Sequence, residues 1–317
     1  MISRRILRIK VMQVLFTYEL SEKEDSGGLE KMLMSRIDKT KELYYVYLQY
    51  LIEVCQYVLV DAARRENKYI KDQEDLNINT QLASNSCISA IQQSEAYKSI
   101  LKKYSLSHHI DNKLVRDLFN TLEASRKYVN YCEIAKPTKG DEVEILRYIA
   151  KKIIGTSADL DEYLAERFMN LEDDHFISLH TLQKKLKDFV ELDKETFVED
   201  FLNNLEQDDE INFSKELINN YLSNRETLEE IIEPRLKNWD MDRVALMDII
   251  LIKLAIVEFL YFPYIPLKVS MNEYIDISKE YSTEKSKDFI NGILDKTMKG
   301  LNDNGKIKKL GRGLINN

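Results

Sequence analysis

Apolar positions recur at helical intervals along almost the whole chain. Leu7, Val11, Val14, Leu15 and Tyr18 follow i, i+4, i+7, i+8 and i+11, the stripe of an amphipathic helix over 4–20. The polar run SEKEDSGG (21–28) ends it. A long apolar-periodic stretch over 29–64 follows, rich in Tyr and Leu (ELYYVYLQYLIEVCQYVLV). Residues 66–84 are polar and asparagine-rich and read as a loop. Further helices are predicted at 85–103, 111–134, 141–154 and 158–170, separated by SLSHH, AKPTKG and GTSAD. Another pair falls within 174–205, and four more at 213–234, 242–261, 268–281 and 283–299. No internal repeat of fixed period is present.

The last four segments carry the clearest boundary signals. Asp240 or Asp242 is placed to cap the apolar helix that follows. Pro263 and Pro266 end that helix and open the next. Ser270-x-x-Glu273 has capping-box spacing, although Pro266 suits a first turn equally. Met271, Tyr274, Ile275 and Ser278 then form a narrow stripe. Ser282 or Thr283 is expected to cap the final helix and Gly300 to stop it, with Lys296 and Lys299 where the dipole favours cations. Asn291-Gly292 lies inside this helix. The dipeptide usually signals a hairpin, yet Phe289, Ile290, Ile293 and Leu294 around it have helical spacing. A mid-helix glycine costs about 1 kcal/mol relative to alanine. The expectation is a packing reason: Gly292 admits a neighbouring helix backbone, and Asn291 is a buried amide joining two elements.

Composition sharpens the class. Of 317 residues only 9 are glycine and 4 proline, while 44% are hydrophobic and 32% charged. So few breakers predict an all-α fold. A net charge of −8 excludes a general polyanion binder, so any nucleic-acid binding needs a local basic patch. Two patches exist. Arg4, Arg5, Arg8 and Lys10 precede the first acid, Glu19, and GKIKKLGRG (305–313) carries Lys306, Lys308, Lys309 and Arg312. Arginine forks onto phosphate and stacks on exposed bases. The plain alternatives are a solvated helix start and a solubilising tail.

The stretch 244–262 is long enough to cross a bilayer, but Asp248, Lys253 and Glu258 interrupt it. Each costs about 2.5–3.5 kcal/mol at the bilayer centre, so a buried core helix and no membrane partner are expected. The start has no long apolar run and no small-residue cleavage site, which argues against a signal peptide. Cys55, Cys87 and Cys132 match no zinc spacing, and their odd number suits a reduced, cytoplasmic setting. His175 and His180 are five apart rather than four, so no metal site is expected. No Walker loop, dinucleotide glycine motif or nucleophile elbow is present, so neither a cofactor nor a catalytic residue is predicted.

Residues 266–296, PLKVSMNEYIDISKEYSTEKSKDFINGILDK, place Pro266, Lys268, Val269, Met271, Asn272, Glu273, Lys279, Tyr281, Phe289, Ile290, Asn291, Gly292, Ile293, Leu294 and Asp295 at the spacing of a known signature. MDIILIKLAIVEFLYFPYIP precedes it, and RRILRIKVMQVLF supplies Arg4, Arg5, Arg8, Gln13, Leu15 and Phe16. In these segments the chain resembles the NusB family of transcription antitermination factors. The resemblance covers 4–20 and 211–300 and implies a NusB-like helical bundle with an extended helical insertion. The expected division is a first helix over 1–20, an insertion of unassigned role over 21–210, the C-terminal bundle over 211–303 and a basic tail over 304–317.

The resemblance implies a non-catalytic, RNA-binding antitermination factor. Its RNA would be a single-stranded boxA-type element of ribosomal RNA transcripts. Its partners would be the ribosomal protein NusE and the RNA polymerase antitermination complex. Carried over by position, it implies RNA contact at Arg4, Arg5, Arg8 and Lys268, with Lys10 beside them on charge alone. It implies NusE contact at Phe16, Asp248 and Phe289, although both phenylalanines also suit a core. Lys285 stands where the family often carries an acid. Asn272, Glu273, Asn291 and Gly292 form the structural signature. Two alternatives stay open. One is a helical protein–protein scaffold, for example in ribosomal RNA maturation, without RNA binding of its own. The other is a ribosomal RNA methyltransferase with a NusB-like domain, disfavoured because no strand-and-glycine pattern accompanies the bundle.

Overall fold

Fifteen α-helices and no strand occur among the described residues, so the chain is all-α. The computed structural model describes residues 3–21, 27–69, 79–203, 208–236 and 244–314. The helices are α1 (Arg4–Leu20), α2 (Leu29–Glu66), α3 (Ser86–Gln93), α4 (Glu95–Lys103), α5 (Asn112–Glu123), α6 (Arg126–Cys132), α7 (Lys139–Tyr148) and α8 (Ala158–Ala165). They continue with α9 (Leu171–Lys187), α10 (Lys194–Asn203), α11 (Asp208–Ser223), α12 (Arg225–Leu236), α13 (Leu246–Tyr261), α14 (Leu267–Tyr281) and α15 (Ser286–Asp303). The chain divides into two compact units, a middle unit of Asp38–Glu206 and a terminal unit of Ile2–Ile37 with Gln207–Asn317. The boundary at 37/38 falls within α2.

The middle unit is a set of short helices, and local side chains explain its breaks. The single helices expected over 85–103 and 111–134 are each two, interrupted at Ser94 and Ser125. Each serine hydroxyl accepts a backbone N–H of the helix it opens, from Tyr97 and Tyr128 respectively. Asp111 and Ser157 cap α5 and α8 in the same way, and Thr138 with Asp141 forms a full capping box on α7. Asn85 caps α3 from a fully buried position and donates its amide to the Glu142 carbonyl on α7. The Glu142 carboxylate accepts from the Ser86 N–H and hydroxyl. α7 runs on into a π-helical segment, Ile149–Ile154, and ends at Gly155. A Cβ on Gly155 would meet Leu179 Cδ1 at 2.9 Å, which is why glycine stands where α9 crosses closely. The core holds Tyr47 and Tyr50 with no exposed surface, and both phenols are bonded, to His175 Nδ1 at 2.7 Å and the His109 carbonyl at 3.0 Å.

In the terminal unit α13 is the central element. Its residues from Ile250 to Phe259 are all buried, and α1, α11, α14 and α15 pack around it. A helix apolar on every side belongs in a core. Among the described residues only α2 is long and apolar enough to cross a membrane, and 72% of that window is buried. The three charges of α13 each have partners. Asp248 accepts hydrogen bonds from Ser282 and Ser286 at 2.6 and 2.8 Å, Lys253 pairs with Glu229 at 2.9 Å, and Glu258 holds Arg8.

Several local expectations change. The proposed caps Asp240 and Asp242 lie outside the described residues. The predicted 213–234 helix is two, α11 and α12, either side of Asn224. α14 begins at Leu267 behind Pro266, and the Ser270 hydroxyl donates to Glu258 instead of capping. α15 continues past Gly300 to Asp303 and is ended by Gly305 at φ 64°, the left-handed position that favours glycine. Gly292 is exposed, and a Cβ there would meet nothing within 4 Å. Asn291 is exposed as well. The close helix approach expected there is absent, because the opposite face of α15, with Ile290, Ile293 and Leu294, makes the packing contact.

Candidate nucleic-acid interface

The first turn of α1 brings three arginines to one end of the terminal unit, and neighbouring helices sort them by depth. Arg8 is 3% exposed. Its guanidinium forks onto Glu258, Nε to Oε1 at 2.6 Å and Nη2 to Oε2 at 2.9 Å. Ser270 and Tyr274 on α14 complete the Glu258 carboxylate at 2.6 and 2.7 Å. Phe213 and Tyr274 lie against the guanidinium at 5.3 and 5.8 Å. Burial works against the Arg8 charge, and the Glu258 carboxylate outweighs it, with smaller help from Tyr274 and Glu273, so the guanidinium is held above its ordinary pKa. Burial, then Glu258, push the Tyr274 phenol well up. This is a closed network with every carboxylate lone-pair direction used. It ties α1, α13 and α14 together, and Arg8 has no surface left for a ligand. Lys10 is 0% exposed. The four-residue basic ridge expected at Arg4, Arg5, Arg8 and Lys10 is therefore reduced to Arg4 and Arg5, because Arg8 is closed in by α13 and α14 and Lys10 is fully buried.

Arg4 and Arg5 stay near the solvent. Arg4 pairs with Glu210 at 3.2 Å and lies over Phe213 at 5.2 Å. Arg5 pairs with Glu280 at 2.8 Å. Exposed pairs of this kind contribute about 0–1 kcal/mol, so a phosphate can displace either carboxylate. Both arginines line a cleft of about 710 Å³ together with Lys268, Arg312, Tyr264 and Val269. Lys268 stands exposed on the first turn of α14. Among the described residues neither Lys268 nor Arg312 makes an ion pair. Apart from Arg8, which Glu258 occupies, the cleft wall has four basic side chains, Arg4, Arg5, Lys268 and Arg312, and one acid, Glu273. An acidic chain thus concentrates positive charge at one concave place, where field lines focus.

The far wall comes from the loop after α13 and from the C-terminal segment. Tyr264, between Pro263 and Pro266, exposes 66% of its surface. The segment after α15 is seated by Lys309, whose Nζ donates to the carbonyls of Glu258 and Phe262 at 3.0 and 2.9 Å, at the negative end of α13. Burial pushes this ammonium down to a pKa of about 8, with Glu258 acting the other way. Sequence reasoning did not find Tyr264, the Glu258 hub or the Lys309 cap. The prolines flanking Tyr264 were the available signal for its exposure.

The residues expected to face a protein partner do not line this cleft. Asp248 is 5% exposed, and both its oxygens are bonded to serines that organise the start of α15, so its charge is spent inside the fold. Phe289 is buried on α15, and Phe16 is half-buried on α1. Asn272 is exposed on α14, and Glu273 faces Arg8 at 3.6 Å.

A family model described as the NusB family matches residues 175–299. A transcription antitermination protein NusB of Listeria monocytogenes is 40% identical over 93 residues, which cover 29% of this chain and 73% of that protein. The chain belongs to the NusB family. Two further NusB antitermination proteins, from Salinibacter ruber and Chloroherpeton thalassium, are each 42% identical over 103 residues, or 32% of this chain. The matched stretch spans 64% of the first and 49% of the second. No solved structure matches. The NusB match begins within α9 and runs through most of α15, so it includes Lys268 and the Glu258 hub but neither α1 nor the segment after Lys299.

Proposed function

We propose that this NusB-family chain is a non-catalytic, RNA-binding transcription antitermination factor working in the cytoplasm. Its cleft takes a single-stranded, boxA-type element of a ribosomal RNA transcript, together with the ribosomal protein NusE, within the antitermination complex. The observation that carries the reading is the convergence of Arg4, Arg5 and Lys268 on one cleft of an otherwise acidic chain. Single-stranded RNA is recognised by phosphate contacts plus stacking and edge contacts to splayed bases, and the cleft offers cations beside an open aromatic ring. The antitermination role rests on the names of the relatives and on the family membership. Phe16, half-exposed on α1, is the position proposed to meet NusE; Asp248 and Phe289, the other two positions carried over from the family resemblance, are buried.

The test is fluorescence anisotropy of a labelled boxA RNA with and without NusE across a salt series. Three phosphate contacts give a slope of log K against log salt of about −2, at about 0.7 per phosphate. Arg5→Ala is expected to weaken binding several-fold with unchanged circular dichroism. Absent or salt-independent binding with NusE present overturns the reading. Capture of the same protein partners before and after ribonuclease treatment, with no RNA binding, would favour a scaffold instead.

A further inference from the structure

The segment after α15 is neither matched by the family model nor free of the fold. We propose that residues 304–314 are a built wall of the RNA cleft, in which Arg312 takes a backbone phosphate and Tyr264 stacks on an unpaired base. The proposal rests on the RNA-binding reading and adds to it two contact residues and the device that positions them.

The seating is specific. Gly305 in the left-handed region reverses the chain, and the Lys306 N–H closes on the Leu301 carbonyl at 3.0 Å. Lys309 is buried and holds the two carbonyls at the end of α13. One residue on, the Leu310 N–H donates to the Pro263 carbonyl at 2.9 Å. Gly313 lies flat on that same peptide: a Cβ there would come within 2.0 Å of the Pro263 oxygen. A merely solubilising tail has no reason for a buried lysine and a glycine that no other residue can replace. These contacts clamp the segment to the loop that carries Tyr264.

Between the clamps Leu310 and Arg312 face out, and Arg312 is the one suited to a phosphate. Arg312 is exposed and lines the same cleft as Arg5 and Lys268. Gly311, at φ 49°, sits beside the Tyr264 ring, where a Cβ would be 3.6 Å from Cδ1. The ring is thus held beside Gly311 and still two-thirds exposed, which leaves it available for stacking on a base. Arginine and aromatic walls facing each other are how sequence-tolerant single-strand sites hold both backbone and bases.

Anisotropy with a fluorescein-labelled 12-nucleotide boxA RNA tests the proposal, using the full chain with NusE and five variants. Arg312→Ala is expected to weaken binding roughly 3- to 10-fold and to flatten the salt slope by about 0.7, the share of one phosphate. Arg312→Lys should restore the slope. Tyr264→Ala should weaken binding about 10-fold with the slope unchanged, as loss of a stacked base does. Tyr264→Trp should keep affinity and show emission quenched by RNA, read against the wild-type background. Arg5→Ala is the control for the cleft itself. If Arg5→Ala weakens binding while the Arg312 and Tyr264 variants bind like wild type, the cleft reading stands and this proposal is wrong. If wild type fails to bind, both are wrong. Circular dichroism melts separate these results from misfolding, since Arg312 and Tyr264 are both exposed.

Discussion

The middle unit and the terminal unit are both all-helical, yet they are specified by different means. In the middle unit seven helices open on a capping side chain of their own, Asn85, Ser94, Asp111, Ser125, Thr138, Ser157 or Asp193, and α9 has no such bond. In the terminal unit α1, α13 and α14 have no side-chain bond at their N-caps. They are held instead by an apolar central helix and by buried polar hubs at Glu258 and Asp248. The difference teaches that helix boundaries come either from neighbouring residues or from partners far away in sequence. The Arg8–Glu258 bond spans 250 positions, whereas every cap of the middle unit acts within three.

This contrast makes quantitative demands. The largest effect belongs to Glu258→Ala, which leaves Arg8 buried without its partner and is expected to cost about 3–5 kcal/mol. Urea unfolding would show it, and a loss below about 1 kcal/mol would mean that the network does not stabilise the terminal unit. In the middle unit Asn85→Ala removes a cap and an interhelical bond together, for an expected loss of about 1–3 kcal/mol. Ser125→Ala removes a cap alone and should cost about 1 kcal/mol, measurable as a lowered Tm. If Ser125→Ala proved as costly as Glu258→Ala, the distinction between local and distant specification would fail.

Gly292→Ala should act in the opposite direction. The site is open and helical, so alanine should stabilise by about 0.5–1 kcal/mol. A loss of stability would restore the close helix approach that the sequence pattern suggested. The smallest effect is a titration. Lys309 should lose its proton near pH 8 rather than 10.5. Between those values the folded chain binds fewer protons than the unfolded one, so this group's contribution to stability rises with pH through that window. The neutral amine keeps two N–H donors for its two carbonyls. Side-chain NMR of Lys309 against Lys308 would read it, and coincident titrations would show that the segment is not seated on α13.

Much of the fold was legible in the sequence. The stripe of α1 and the apolar run of α13 each lie within one helix, and the signature over 266–296 runs through two consecutive helices, so spacing alone reveals them. The breaks at Ser94 and Ser125 were also written locally, but inside continuous apolar periodicity, where a serine reads as a surface position until its N–H partner is seen. The site was less legible. Arg5 and Arg8 are three positions apart and look equivalent. Only the arrival of Glu258, Ser270 and Tyr274 opposite Arg8 separates a buried strut from a solvent-facing cation. Asp248 was read as an interface charge because its serine partners lie 34 and 38 residues away.

Pattern along the chain was enough for helix class, family and the rough position of a basic end, because periodicity, propensity and charge are properties of neighbouring residues. Packing in three dimensions chose which cations face water and turned a basic tail into a docked wall beside Tyr264. It also left Gly292 in the open. Burial and desolvation depend on atoms contributed from distant positions, and a linear pattern holds no record of which distant residue arrives.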